Sequence, residues 1–370
     1  MSDLEADDED RAPPSIYDGD DVHERAPWFD APPSDGPDPA PRRCPTLGDE
    51  AADWAEAEAA MASALADTAS AVARLDEALL GQPPGRRAGL RRHLALVEIA
   101  DLVWAEGHRL RPEKLALVDA DRLGRTDHDT EVLGRAASAL RRALAPPQRI
   151  DTAEAVATAL GSRIASDGPT RGADDPVLAL LPTLASERAD GWLTALHPLD
   201  AHPLTKAGFG ARLWLRGDPG QLLDPATLAS RLWMTGSGPR HAGAEIGLSF
   251  LPLAFARPPT ELLHGRPAED WLASWLAAVR GAAARARSHL RALAAWRERE
   301  ALAMAGMRGR GAPALADLRL DRPIVSAPIA AAALGLTAAR TRDLLAAFER
   351  RGLTREMTGQ GRFRYWQPVL

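Results

Sequence analysis

From about residue 50 onward, apolar positions return with a helical period. Leu65, Val72, Leu75, Leu79 and Leu80 fall on one helix face, and Gln82-Pro83-Pro84-Gly85 ends that run. A second run spans about 87–106 around Leu90, Leu94, Val97, Ile99 and Val103. The same period predicts helices at 130–145, 151–166, 176–196, 208–216, 225–234 and 268–307. The last is rich in Ala, Arg and Trp (Trp271, Trp275, Trp296) and suits a connecting helix. Strand patterns are nearly absent before residue 350, and no repeat of 20–50 residues stands out, which argues against a solenoid. The pattern predicts a mainly α protein with an all-α body over residues 51–311.

The period changes in the last domain, 312–370. Ser326 reads as an N-cap with Pro328 in the first turn of a short helix over 327–334, and Gly335 makes the turn. Thr337 caps a second helix, 338–351, closed by Gly352. Thr341, Leu345 and Phe348 share one face of it, with Leu344 beside them, while Ala338, Ala339, Arg340, Arg342 and Asp343 point away. Two short helices joined by a glycine turn make the helix-turn-helix pattern. After Gly352 the period falls to two, so 353–357 and 363–366 read as strands around a glycine-rich tip, 358–362. Helix, turn, helix and hairpin in this order predict a winged helix. Such a module serves either duplex DNA or protein contacts. Arginine placement favours DNA, with Thr337, Arg340 and Arg342 on the recognition helix and Gln360, Arg362 and Arg364 on the wing.

Charge sharpens this division. The 370 residues carry a formal net charge of −6, but residues 1–50 hold 15 acids against four arginines, and residues 280–370 hold 17 arginines against seven acids. One end therefore suits a polyanion and the other does not. Residues 1–50 also contain nine prolines and few aliphatics, which predicts a disordered acidic arm that visits the basic end or simply stays solvated. Within the arm, Ala26-Pro27-Trp28-Phe29-Asp30 is either a short docking motif or a stray apolar pair. A single cysteine, Cys44, excludes a disulfide framework and a cysteine-based metal site. No secretory signal and no membrane-length apolar run is apparent, which implies a cytoplasmic protein without membrane partners.

Other chemistry finds little footing. There is no H-E-x-x-H, no Walker loop and no G-x-S-x-G. Asp127-His128-Asp129 is the best local cluster for a metal, but reads more simply as a polar loop, so no metal site is assigned. The tryptophans at helical positions read as core packing.

Two resemblances extend these readings. The stretch from Arg322-Pro323-Ile324-Val325-Ser326 to Arg364-Tyr365-Trp366 resembles the C-terminal helix-turn-helix domain of an uncharacterised bacterial family, often plasmid-borne. Its members join this module to a helical domain of unknown function, and the likeness covers roughly residues 65–370. It implies DNA binding and no catalysis. The helical part is similar, more distantly, to the Fic family of AMP transferases through Arg74-Leu75-Asp76, Glu98-Ile99-Ala100, Ala105-Glu106-Gly107 and Leu115. That likeness implies Glu106 as the counterpart of an inhibitory-helix glutamate. The family's active site, H-P-F-x-[D/E]-G-N-G-R-x-x-R, has its counterpart in 202–212, with His202 as the proton acceptor and Lys206, Gly208, Gly210 and Arg212 as a possible ligand loop. Lys206 stands where that family's magnesium-holding acid belongs, which opposes the chemistry. His197-Pro198 fits no better.

The combined expectation is a disordered acidic arm (1–50), a Fic-like all-α domain (51–311) and a winged helix (312–370). The expected function is duplex-DNA binding in transcriptional regulation, without a cofactor, with the helical domain sensing a ligand or forming a homodimer. The rival expectation is a Fic-type AMP transferase using ATP and Mg, with catalytic His202 and an accessory winged helix.

Overall fold

The computed structural model describes residues 47–119, 129–161, 176–217, 220–236, 246–253, 267–305, 310–358 and 364–370. Its helices are α1 (Leu47–Ala60), α2 (Ala62–Leu80), α3 (Pro84–Ala105), α4 (Pro112–Asp119), α5 (Asp129–Leu144), α6 (Ala153–Leu160), α7 (Pro176–Leu196), α8 (Pro203–Gly217), α9 (Leu223–Gly236) and α10 (Ala268–Met304). Then come α11 (Gly311–Asp321), β1 (Val325–Ser326), α12 (Ala327–Leu334), α13 (Ala338–Arg350), β2 (Thr354–Glu356) and β3 (Tyr365–Pro368).

Three differences from the sequence pattern have physical causes. The expected arm reached residue 50, yet α1 begins at Leu47, because Ala51, Trp54 and Ala57 bury one face of that helix. Residues 1–46, with the Trp28-Phe29 motif, lie outside the described residues. Next, α8 starts five residues before the expected 208. His202 caps it, its Nδ1 accepting from the Leu204 amide at 3.2 Å, and Pro203 supplies a preset φ. Finally, α4 and α11 are short helices without a long apolar stripe, and the sequence pattern missed both.

The 37-residue α10 is the spine of the body and packs on α1, α2, α3, α8 and α11. Aromatic side chains fill its first turns. Trp271 stacks on Trp275 at 5.4 Å and meets Trp54 at 5.6 Å, and Trp54 reaches Phe209 of α8 at 5.1 Å. Two of the buried indoles keep their N–H groups bonded, Trp275 donating to Leu204 O at 3.0 Å and Trp192 to Gly210 O at 2.8 Å, whereas the Trp54 N–H is buried without a partner.

Carboxylates buckle the body together. Asp76 accepts from the Leu248 amide at 2.7 Å, and Glu98 from the Leu253 amide at 2.8 Å, so both hold the 246–253 segment. Buried arginines do the reverse, donating to carbonyls: Arg231 reaches Pro146 O and Arg142 O, both at 2.8 Å. Unsatisfied polar groups are costly in this interior, so these bonds fix where the helices sit.

The last helix of the body hands over to the C-terminal module without a gap in packing. Trp296 of α10 donates to Leu353 O at 2.8 Å, and Arg299 to Val369 O at 2.9 Å. Residues Pro45–Leu370 form one unit of continuous contacts.

Candidate nucleic-acid interface

The C-terminal module is assembled by its caps. Ser326 accepts from the Ile329 amide and starts α12, with Pro328 in the first turn. The chain then turns at Gly335, whose φ of +62° lies where a Cβ is disfavoured, and the Leu336 amide closes the helix end on Ala331 O. Thr337 accepts from the Arg340 amide at 3.2 Å and starts α13. Thr341 in turn donates to Thr337 O at 3.0 Å.

One face of α13 is fixed by burial. Thr341, Leu344, Leu345, Ala347 and Phe348 are buried, while Ala338, Ala339, Arg340, Arg342 and Asp343 are exposed. This is the division expected from the 3.6 period. Neither Arg340 nor Arg342 forms an ion pair among the described residues, so both guanidinium groups stand free in solvent.

The sheet behind it has the order β1-β3-β2, antiparallel throughout. Val325 pairs with Trp366 and Ser326 with Tyr365, so the cap residue of α12 doubles as an edge of the sheet. The sequence pattern missed β1, since a two-residue strand has no period to read. On the other edge Glu356 pairs with Trp366 and Arg355 with Gln367. Gln360 and Arg362 of the hairpin tip lie outside the described residues.

Arg364 is exposed but engaged. Its guanidinium sits 3.5 Å from the Glu349 carboxylate and 5.0 Å from the Trp366 ring, and Trp366 donates to the same carboxylate at 3.2 Å. Glu349 therefore aims the base of the hairpin and partly neutralises Arg364. Sequence reasoning overlooked it, because a carboxylate near a helix C-terminus carries no motif.

The second candidate cluster is organised quite differently. The expected ligand loop is not a loop: Lys206, Gly208, Gly210 and Arg212 lie along helix α8. Gly208 and Gly210 are buried, and a Cβ on Gly208 would come within 2.8 Å of the Trp275 ring. These glycines admit tryptophans and do not cradle phosphate. Arg212 lies 5.8 Å from the Trp54 ring. Arg216, at the end of the helix, forms a bidentate pair with Glu50 at 2.8 and 2.5 Å. His202 is half-buried, its backbone amide donating to Glu58 at 3.0 Å, and burial lowers its pKa while Glu58 opposes the shift.

Glu106, the expected inhibitory-helix counterpart, lies at the end of α3 with its side chain almost wholly buried. It accepts from the Leu222 and Leu223 amides at 2.6 and 3.1 Å and from Arg135 at 2.9 Å. Its lone pairs are occupied in joining α3, α5 and the start of α9. Asp127 and His128 lie outside the described residues, and among those described no three His, Cys, Asp or Glu side chains converge for a metal. Among them, too, no helix is long and apolar enough to cross a membrane.

Residues 312–368 match the family model of an HTH DNA-binding domain, so the chain carries a C-terminal helix-turn-helix DNA-binding domain. The chain is also similar to the crystal structure of a Fic family protein from Desulfovibrio desulfuricans G20. That similarity has 16% sequence identity and a TM-score of 0.43, over 84% of this chain and 96% of the other. No curated protein matches the chain.

Proposed function

We propose that this chain is a sequence-specific duplex-DNA-binding protein acting in cytoplasmic transcriptional regulation, with a winged helix as reader and the helical body as sensor. The observation that carries the reading is the solvent face of α13, where Arg340 and Arg342 are exposed while the opposite face is locked into the core. A helix held this way presents its N-terminal side chains to a major groove, where arginine pairs with the O6 and N7 edge of guanine. The hairpin after α13 supplies a wing, with Arg364, Arg362 and Gln360 suited to phosphate or the minor groove.

The sensing role draws support from the junction. α11 lies against both α3 and α10, so a change inside the body reaches the reader through packed helices. The AMP-transfer reading finds no support in α8. A lysine replaces the metal-holding acid, and the glycines are filled by indole rings.

Selection of bound duplexes from a random pool, followed by titration over a range of salt, tests the proposal. A recovered consensus supports it, and two half-sites spaced about 34–36 Å apart would report a homodimer. Recovery of no consensus, with equal weak binding to all duplexes, would refute sequence-specific reading.

A further inference from the structure

A cavity of about 410 Å³ lies where α2, α3 and α10 meet α11. Its floor is apolar, made by the buried side chains of Leu90, Leu290, Leu293 and Leu320. Four arginines line it, Arg86, Arg287, Arg291 and Arg297, against a single acid, Glu298. Arg287 and Arg291 are one turn apart on α10, and among the described residues neither is paired with a carboxylate. Like charges at that spacing repel, and an anion placed between them relieves the repulsion. The volume falls in the range of small-molecule pockets.

We propose that this cavity binds an amphipathic anion, with its apolar body on the leucine floor and its carboxylate or phosphate head on the arginine rim, and that occupancy is transmitted to α11. The transmission rests on ion pairs that the head group competes for. Asp317 of α11 is shared by Arg297 at 3.2 Å and Arg86 at 3.6 Å. Arg297 also holds Glu300, which is buried. Two residues beyond Asp317, Arg319 is completely buried beneath the body, 5.8 Å from the Trp296 ring, and all three of its guanidinium nitrogens lack a hydrogen-bond partner. Glu300 is the carboxylate whose charge acts on it. A head group that draws Arg297 and Arg86 toward the cavity frees Glu300 for Arg319 and Asp317 for solvent. The first helix of the DNA-binding module thus has two alternative sets of partners, and the ligand selects between them.

Binding stands by itself, and only the transmission rests on the DNA-binding reading. Calorimetric titration of the full-length protein with decanoate and with decyl phosphate, below micellar concentrations, tests the site. Acetate and inorganic phosphate supply the head alone, and decanol supplies the body alone. Binding by at least one amphiphile, about tenfold or more tighter than by either half, is the expected result, and the tighter amphiphile identifies the head. Arg287→Ala with Arg291→Ala should weaken it by about tenfold or more. Ala294→Phe, at an exposed position on the cavity wall, should block it while sparing the arginines. Binding of neither amphiphile, or affinities unchanged in both variants, overturns the site. The same conclusion follows if the double variant loses DNA affinity and no amphiphile binds, because the arginines then serve the nucleic-acid backbone. For transmission, the bound amphiphile should change affinity for the selected duplex by about fivefold or more. Binding without that change overturns the transmission. Failure of DNA binding as a whole overturns the proposed function and leaves the calorimetric result in place.

Discussion

Helices α8 and α13 are built from similar materials and serve opposite ends. Each begins at a side-chain cap, His202 in one and Thr337 in the other, and each carries basic residues and small residues. In α8 the small residues receive indole rings, and its arginines lie against Trp54 or pair with Glu50. In α13 the small residues Ala338 and Ala339 face solvent, and the arginines beside them are free. Residue type therefore announces chemistry only where the packing leaves the group available. The contrast separates a helix whose small and basic residues are taken up by packing from one whose basic residues are left to solvent.

The strongest way to break this contrast is to empty α8. Phe209 is fully buried against Trp54, so Phe209→Ala should cost about 3–5 kcal/mol in denaturant unfolding. Arg340→Ala with Arg342→Ala, on the exposed face, should stay within about 0.5 kcal/mol of wild type. Comparable destabilisation in the two variants would erase the distinction.

Glu106 gives a second, smaller effect. Its removal leaves two backbone amides and the Arg135 guanidinium unsatisfied, so Glu106→Ala should destabilise by about 2–3 kcal/mol. If Glu106 instead restrained an AMP-transferring site, the variant would gain Mg-ATP-dependent self-labelling without that destabilisation. Thr337→Ala removes the cap of α13 and should cost about 1 kcal/mol, visible in thermal unfolding.

A pH series probes the seam between body and module. His93 is buried beside His289, with its Nε2 3.3 Å from Arg319 O. Burial, reinforced by His289, lowers its pKa from 6.5 to about 3. Between those values the unfolded chain binds the extra proton and the folded chain does not. Stability is therefore full above about pH 6.5 and falls as pH drops toward 3. His93→Gln should flatten that fall in denaturation midpoints measured across the window. An unchanged slope would place the acid sensitivity elsewhere.

Legibility in the sequence tracked the range of the interaction. Caps and periodicity are local, so α12, α13 and the 268–304 helix could be read directly from Ser326, Gly335, Thr337 and the spacing of Leu345 and Phe348. The start of α8 lies five residues before the expected 208 because its cap is His202, and a histidine followed by proline is not a start signal of the usual Ser, Thr, Asp or Asn kind. β1 exists only by pairing across forty residues with β3, and no local pattern encodes that. At the interface, Arg340 and Arg342 were legible from the helix period, whereas the tie of Arg364 to Glu349 and Trp366 depends on the sheet closing. Burial of Arg319 was equally hidden, since an arginine in sequence reads as surface.

The central claim is that the solvent face of α13 reads base pairs. It is tested most directly by the affinity of Arg340→Ala and Arg342→Ala variants for the selected duplex, measured against single-base substitutions in that duplex. If an arginine pairs with guanine, its removal should cost about 1–3 kcal/mol and relax one position of the site, with other positions still discriminated. Replacing Arg364 should instead weaken all sequences alike and reduce the salt slope by about 0.9 for each phosphate it had neutralised. Wild-type affinity and an unchanged consensus in the double arginine variant would contradict the account.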